Sequence, residues 1–182
     1  MVKDMEKLDY AILFATKAHD GQRRKSDNVD MIFHPFTVGM MLQREGMTDE
    51  TVIAGILHDV VEDTSYTLQD IETLFGKRVK NIVEEVSENK KLEWKERKIK
   101  AIEKIEVASF EGKMVECADK INNLETLYDL LQVKGKEVWK SFNKPLIDQK
   151  WYYTKMYEAI IKNIEFNKLC KRYKVILDKV FN

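Results

Sequence analysis

Leu57-His58-Asp59-Val60-Val61-Glu62-Asp63 places one imidazole and three carboxylates within seven consecutive residues. On a helix, at ~100° per residue, His58 and Glu62 stack one turn apart, as do Asp59 and Asp63 on the neighbouring stripe. Ile53, Ile56, Leu57, Val60 and Val61 occupy the rest of that surface, so the segment must be largely buried while it carries a concentrated negative charge. Buried carboxylates need a cation or a proton. His34-Pro35 lies twenty-four residues upstream of His58, and Ala118-Asp119-Lys120-Ile121-Asn122-Asn123 lies downstream. Together these supply two imidazoles and two carboxylates, a nitrogen and oxygen donor set suited to a divalent metal such as Mn²⁺, Fe²⁺, Zn²⁺ or Mg²⁺. Such a metal beside a free carboxylate is the chemistry of water activation.

The elements that must position these groups read as helices throughout. Leu8, Ile12, Ala15 and His19 recur at helical spacing and predict a helix from Lys7 to Asp20, ended by Gly21. Gln22 to Ile32 is basic and then polar without a period, and reads as an exposed loop. Pro35 suits the first turn of a new helix and places His34 near its N-cap; Gly46 stops that helix. Thr48 can cap the next one, with Asp49 and Glu50 opposing the macrodipole, and this helix is expected to run on through His58 to Asp63. Further helices are expected over Leu68 to Phe75, Arg78 to Ser87, Trp94 to Val107 and Lys113 to Gln132. The last of these bears Asp119, Asn123 and Thr126 on one stripe. A short helix from Lys136 to Phe142, a long one from Pro145 to Phe166 and a final one from Lys168 to Val180 complete an all-α, single-domain reading of residues 1–182. No convincing strand, repeat or linker interrupts it.

Composition agrees. The 182 residues can bury a sizeable core without disulfides, and seven Gly and two Pro leave little material for the turns of an all-β fold. Lys+Arg and Asp+Glu both number 31, a balance with no electrostatic footprint for nucleic acid or an anionic membrane. Cys117 and Cys170 are far apart in sequence and form no metal-binding CxxC pair, which points to a reduced, cytoplasmic setting. A charged N-terminus and the lack of any long apolar run predict a soluble chain. No Gly-rich phosphate loop indicates a cofactor beyond a metal. A helical surface with exposed Trp or Tyr could form a homo-oligomer, although no face is indicated.

His34, His58-Asp59 and Asp119 arranged in this order resemble the HD-domain phosphohydrolases. Glu62-Asp63 and Gly21-Gln22-Arg23-Arg24-Lys25-Ser26 narrow the resemblance to the (p)ppGpp hydrolase branch of the Rel/SpoT enzymes and their small single-domain relatives, over most of residues 10 to 155. The resemblance implies a helical HD-domain bundle and a hydrolase that removes the 3′-pyrophosphate of ppGpp or pppGpp. It implies His34, His58, Asp59 and Asp119 as metal ligands, Mn²⁺ as the favoured ion, and Glu62 and Asp63 as the acidic pair beside the attacking water. Arg24, Lys25 and Ser26, with Asn123 and Thr126, match positions close to the nucleotide substrate. No synthetase-like segment follows, so hydrolysis alone is expected.

Each residue also has a plainer role open to it. Asp119 could pair only with Lys120, Glu62 and Asp63 could be a solvated helix end, and Arg24 and Lys25 could serve solubility. Asn123 and Thr126 could make ordinary helix hydrogen bonds. His19 reads better as a partly buried core histidine than as a fifth ligand, and Trp94, Trp139, Trp151, Tyr152 and Tyr153 read as packing between helices. The chain departs from the family at residues 27 to 33, Asp-Asn-Val-Asp-Met-Ile-Phe, in place of a Pro-Tyr stretch, and at Glu125, where a basic residue is usual. Both departures are expected beside the base and phosphate pockets. They leave open an HD phosphohydrolase for another nucleotide, or a non-catalytic module that binds a metal or nucleotide.

Overall fold

The computed structural model describes residues 6–24 and 27–182. Among them the chain runs through α1 (Lys7–Ala18), α2 (Phe33–Arg44), α3 (Asp49–Leu57), α4 (Val60–Asp63), α5 (Leu68–Phe75) and α6 (Lys77–Val86). It continues through α7 (Trp94–Glu106), α8 (Phe110–Lys134), a 3₁₀ turn (Gly135–Ser141), α9 (Leu146–Ile161) and α10 (Lys168–Phe181). The fold is all-α, as composition and periodicity require. The only extended pairing among the described residues is one antiparallel bridge between Arg23 and Asp30.

Helix starts follow local chemistry. Thr48 accepts from the Thr51 amide, Ser109 from Gly112 and Asn167 from Cys170, each satisfying a donor that the first turn leaves free. Thr67 and Asp70 form a reciprocal capping box. Gly21 and Gly46 follow α1 and α2 at φ 72°, the left-handed conformation that ends a helix at no steric cost in glycine.

Several boundaries differ from expectation. The helix expected to run unbroken from Asp49 to Asp63 divides, with α3 ending at Leu57 and α4 starting at Val60. His58 Nδ1 lies 2.7 Å from the Gly55 carbonyl, an acceptor that a continuous helix would give to the amide of residue 59. The Asp63 amide still bonds the Asp59 carbonyl at 2.9 Å, so the chain bends without reversing. His34 sits inside the first turn of α2 and not at its cap, which falls on Ile32. Pro35 is therefore the third helical residue, where its missing N–H still costs no intrahelical bond. α8 starts three residues before the expected Lys113, and α9 ends at Ile161, short of Phe166.

α8 is the axis of the bundle. It packs against α2, α3, α6, α7, α9, α10 and the 3₁₀ turn, and its Met114, Val115, Cys117, Ala118, Ile121 and Leu124 are fully buried. The buried apolar residues form one cluster that extends from Ala11 to Val180. Cys117 on α8 and Cys170 on α10, distant in sequence, are both free and buried in this core. Trp94 packs against Trp151 and Tyr152, joining α7 to α9, and Trp139 packs against Phe142 and Phe181. Among the described residues no helix is long and apolar enough to cross a membrane.

α2 and α3 approach closely through glycine. A Cβ on Gly39 would lie 2.5 Å from Ile56 Cγ1, and one on Gly55 would run into the Leu42 side chain. This contact holds the His34 helix against the His58 helix. Gly39→Val should therefore overpack the crossing and cost about 2 kcal/mol. In a thermal melt the midpoint should fall by roughly 4–8 °C for a chain of this size; an unchanged midpoint would show that the crossing has room to spare.

Candidate active site

Four side chains from α2, α8 and the α3–α4 bend converge. His34 Nε2 and His58 Nε2 lie 3.3 Å apart, with the rings edge to face. Asp59 Oδ2 is 3.5 Å from the first and 3.4 Å from the second. Asp119 Oδ1 is 3.0 Å from His34 Nε2 and 3.8 Å from His58 Nε2. His34, His58 and Asp119 are buried, and Asp59 is largely so.

The outer nitrogens decide what the inner ones can do. His58 Nδ1 faces the Gly55 carbonyl, which can only accept, so Nδ1 carries the proton. His34 Nδ1 faces Asn122 Oδ1 at 2.6 Å and is assigned its proton in the same way. In the neutral rings, both Nε2 lone pairs then point at each other and at two carboxylates. That is a repulsive arrangement unless a cation joins it, and Nδ1–H groups anchored to oxygen acceptors are the outer support that metal-ligating imidazoles use. The donor set of His34, His58 and Asp59 therefore fits a divalent ion, and Asp119 stands beside the two imidazoles.

The same demand shows in the electrostatics. Burial opposes charging of His34, but the Asp119 and Asp59 carboxylates outweigh it and raise its pKa. Burial likewise opposes ionisation of Asp119, yet the Lys120 ammonium and the two imidazoles hold it well below the usual carboxylate range. Lys120 Nζ lies 2.5 Å from Asp119 Oδ2 and 2.9 Å from Glu116 Oε1. One ammonium between two buried carboxylates leaves the cluster short of positive charge, and burial holds the Glu116 carboxyl above its usual range.

Glu62 and Asp63 face the same cleft but not the imidazoles. Glu62 Oε1 accepts from the Glu88 amide at 2.8 Å, and Lys90 Nζ stands 3.6 Å from its other oxygen. Lys90 also bonds the more exposed Asp63. Burial, and then the charge of Asp59, push Glu62 up to about 7. A carboxyl poised there can take a proton at neutral pH, unlike one at the ordinary value.

Arg24, expected in an exposed loop, is buried. Its guanidinium donates to Asp27, Thr126 and Asn123, each at 3.3 Å. Asn123 in turn donates to Asp119 Oδ1 at 2.6 Å, so the loop is tied to the cluster through α8. Solubility is thus excluded as the role of Arg24. Lys25 and Ser26 lie outside the described residues. Glu125, expected beside the phosphate pocket, instead makes a bidentate pair with Arg172 of α10 at 2.8 Å.

The cleft has a volume of about 630 Å³, and its wall carries as many cationic side chains as carboxylates. Lys90, Arg97 and Lys98 are the ones that sequence reasoning passed over. Lys98 and Arg97 are held by Glu88 at 2.7 and 3.2 Å, and Tyr152 donates to the same carboxylate at 3.3 Å. The visible signal was a charge-rich helix, which ordinarily means a solvated face; only its packing beside α6 and α9 turns these residues inward. Asn122 was missed in the same way, since its role depends on His34.

Glu62 binds its proton more tightly in the folded state than in the unfolded chain. Its contribution to stability is full below the ordinary value of 4.5 and is lost as pH rises through about 7. In metal-free protein, Glu62→Gln should therefore leave the melting temperature unchanged near pH 4.5 and raise it near pH 8 by a few degrees, corresponding to about 1–3 kcal/mol. Parallel melting curves for the two proteins across this range would refute the assignment.

Comparison with known proteins gives the same answer as the geometry. The HD domain matches residues 11–144. The guanosine-3′,5′-bis(diphosphate) 3′-pyrophosphohydrolase MESH1 of Xenopus tropicalis is 44% identical over 117 residues, 63% of this chain and 65% of that protein. An Aquifex aeolicus guanosine-3′,5′-bis(diphosphate) 3′-pyrophosphohydrolase is 34% identical over 138 residues, 74% of this chain and 20% of that protein. The chain thus spans less than two thirds of the length of either relative. A solved structure described as a metazoan ortholog of SpoT that hydrolyzes ppGpp superposes with a TM-score of 0.80 at 28% identity, covering 98% of both chains. With the match extending over most of its length, and with His34, His58-Asp59 and Asp119 gathered at one point, the chain belongs to the HD-domain family.

Proposed function

We propose that this chain is a metal-dependent hydrolase that removes the 3′-diphosphate of ppGpp or pppGpp, releasing pyrophosphate and GDP or GTP. The observation that carries the reading is the pairing, in one cleft, of the imidazole–carboxylate cluster with the separate Glu62–Asp63 pair and the cationic wall of Lys90, Arg97 and Lys98. A structural metal would need only the first of these. The names of the relatives support the substrate.

His34, His58, Asp59 and Asp119 are the residues proposed to hold the ion, with Mn²⁺ preferred. When bound, a divalent ion polarises a phosphoryl oxygen and lowers the pKa of water beside it. Glu62, raised to about 7, accepts the proton of the attacking water. Asp63, held by Lys90, shares that water and keeps the attacking oxygen directed at the 3′-phosphorus. Lys98 and Arg97, their carboxylate partner Glu88 shared between them, face the phosphate charges; an ammonium and a guanidinium both serve this purpose. Arg24, which lines the cleft and is held by Asp27, Asn123 and Thr126, is proposed to stack its guanidinium plane on the purine. Lys25 and Ser26 are proposed, from the family resemblance of their sequence, to contact the nucleotide.

The test is pyrophosphate release from ppGpp by the purified protein with Mn²⁺, beside an EDTA-treated sample and a panel of ordinary nucleotides. Asp59→Ala should abolish release, and Glu62→Gln should lower kcat by about 10²–10⁴-fold with metal still bound, the range of a lost general base. Lys98→Ala should act mainly on KM. Metal-dependent turnover of another nucleotide only would replace the substrate, and bound metal without turnover of any nucleotide would replace catalysis with binding.

A further inference from the structure

α4 has four residues, too few to hold its own geometry, yet it carries Glu62 and Asp63. Lys90 and the Glu88 amide restrain these two side chains. The backbone of α4 has a different restraint. Gln22 Nε2 donates to the Asp63 carbonyl at 2.8 Å, across forty-one residues of sequence. That carbonyl ends α4 and has no partner further along the helix.

Gln22 is itself held in one orientation. Its amide nitrogen is committed to a carbonyl, which can only accept, so its Oε1 must face a donor. His19 Nδ1 lies 2.9 Å from that oxygen. The His19 proton therefore sits on Nδ1, and the ring is 2% exposed at the end of α1, where it has no room to turn away. The Gln22 backbone N–H also donates to the His19 carbonyl at 3.0 Å, and the Gln22 backbone carbonyl accepts from the Met31 N–H at 2.9 Å. His19 does not line the cleft, whereas Gln22 does. Histidine is thus placed as a core residue behind the site, with its one described side-chain bond directed at Gln22.

We infer that His19 and Gln22 are positioning residues for α4: His19 orients the Gln22 amide, and Gln22 fixes the backbone of α4 against the loop that carries Arg24. The chain links the end of the molecule proposed to meet the purine with the end proposed to activate water. Without it, Glu62 and Asp63 keep their side-chain partners but lose the fixed spacing from Arg24. This inference rests on the hydrolase reading for its kinetic consequence and on the structure alone for its mechanical one.

The experiment measures hydrogen–deuterium exchange of residues 58–66 in the Mn²⁺-loaded protein, together with kcat and KM on ppGpp, in Gln22→Met, His19→Leu and His19→Asn. Gln22→Met keeps the length and removes both hydrogen bonds; the Asn amide can restore the donor that Leu removes. Expected are faster exchange in 58–66 and a fall in kcat of about tenfold, with KM within about twofold, for Gln22→Met and His19→Leu. His19→Asn should recover both readouts, and Gln22→Met with His19→Leu should be no worse than Gln22→Met alone. A wild-type protein that releases no pyrophosphate would overturn the hydrolase reading, while the exchange data would still test the positioning. Unchanged exchange in Gln22→Met, or a general loss of melting temperature and metal binding without recovery in His19→Asn, would overturn the positioning itself.

Discussion

A carboxylate buried in the middle of a helical core is the constraint from which the rest of this molecule follows. Asp119 lies on the central helix, where every neighbour is another helix, and an isolated charge there would cost several kcal/mol. Lys120 on the same helix answers that charge directly, and the Nε2 atoms of His34 and His58 converge on the same carboxylate in a set that a further cation completes. Meeting the requirement brings the start of α2, the end of α3 and the middle of α8 to one point. The glycine contact between α2 and α3 then permits the two histidines to approach to 3.3 Å.

Charge neutrality over the whole chain conceals a strongly organised interior. Lys120, Glu116, Glu88, Lys98 and Arg97 form successive pairs along the cleft, so cations that could meet an anionic substrate are already held in place by carboxylates. Fixed charges of this kind need little reorganisation when a ligand arrives, which is the physical basis of electrostatic preorganisation. Glu62 is the exception. Burial and the neighbouring Asp59 make its ionised form unfavourable, and the fold tolerates that cost at the position where a proton acceptor near neutral pH is of use.

The bend at His58-Asp59 shows how local chemistry and tertiary need combine. A continuous helix would set His58 and Glu62 on one stripe and Asp59 and Asp63 on the next. Breaking it lets Asp59 join the imidazoles while Glu62 and Asp63 turn to Glu88 and Lys90. Two groups of polar side chains are thus separated along seven residues of sequence, at the bend where His58 bonds the Gly55 carbonyl.

What was legible in the sequence is what depends on neighbours a few residues away. Helical periodicity, capping residues such as Thr48 and Thr67, and the glycines after α1 and α2 act within one or two turns, so the all-α order could be read directly. His34, His58-Asp59 and Asp119 were legible by residue type, because few side chains can bind a divalent ion. Tertiary structure alone decided which groups meet. Arg24 reads as exposed because its partners Asn123 and Thr126 are about a hundred residues away, and nothing near Glu125 in sequence announces its pair with Arg172 of α10. The inward turn of Arg97 and Lys98, the pairing of Asn122 with His34, and the His19–Gln22 link to Asp63 are likewise contacts across distant segments. Sequence determines the periodicity of each helix, but the rotation and crossing of helices about α8 emerge from packing the whole core at once, and that rotation chooses which polar side chains face the cleft.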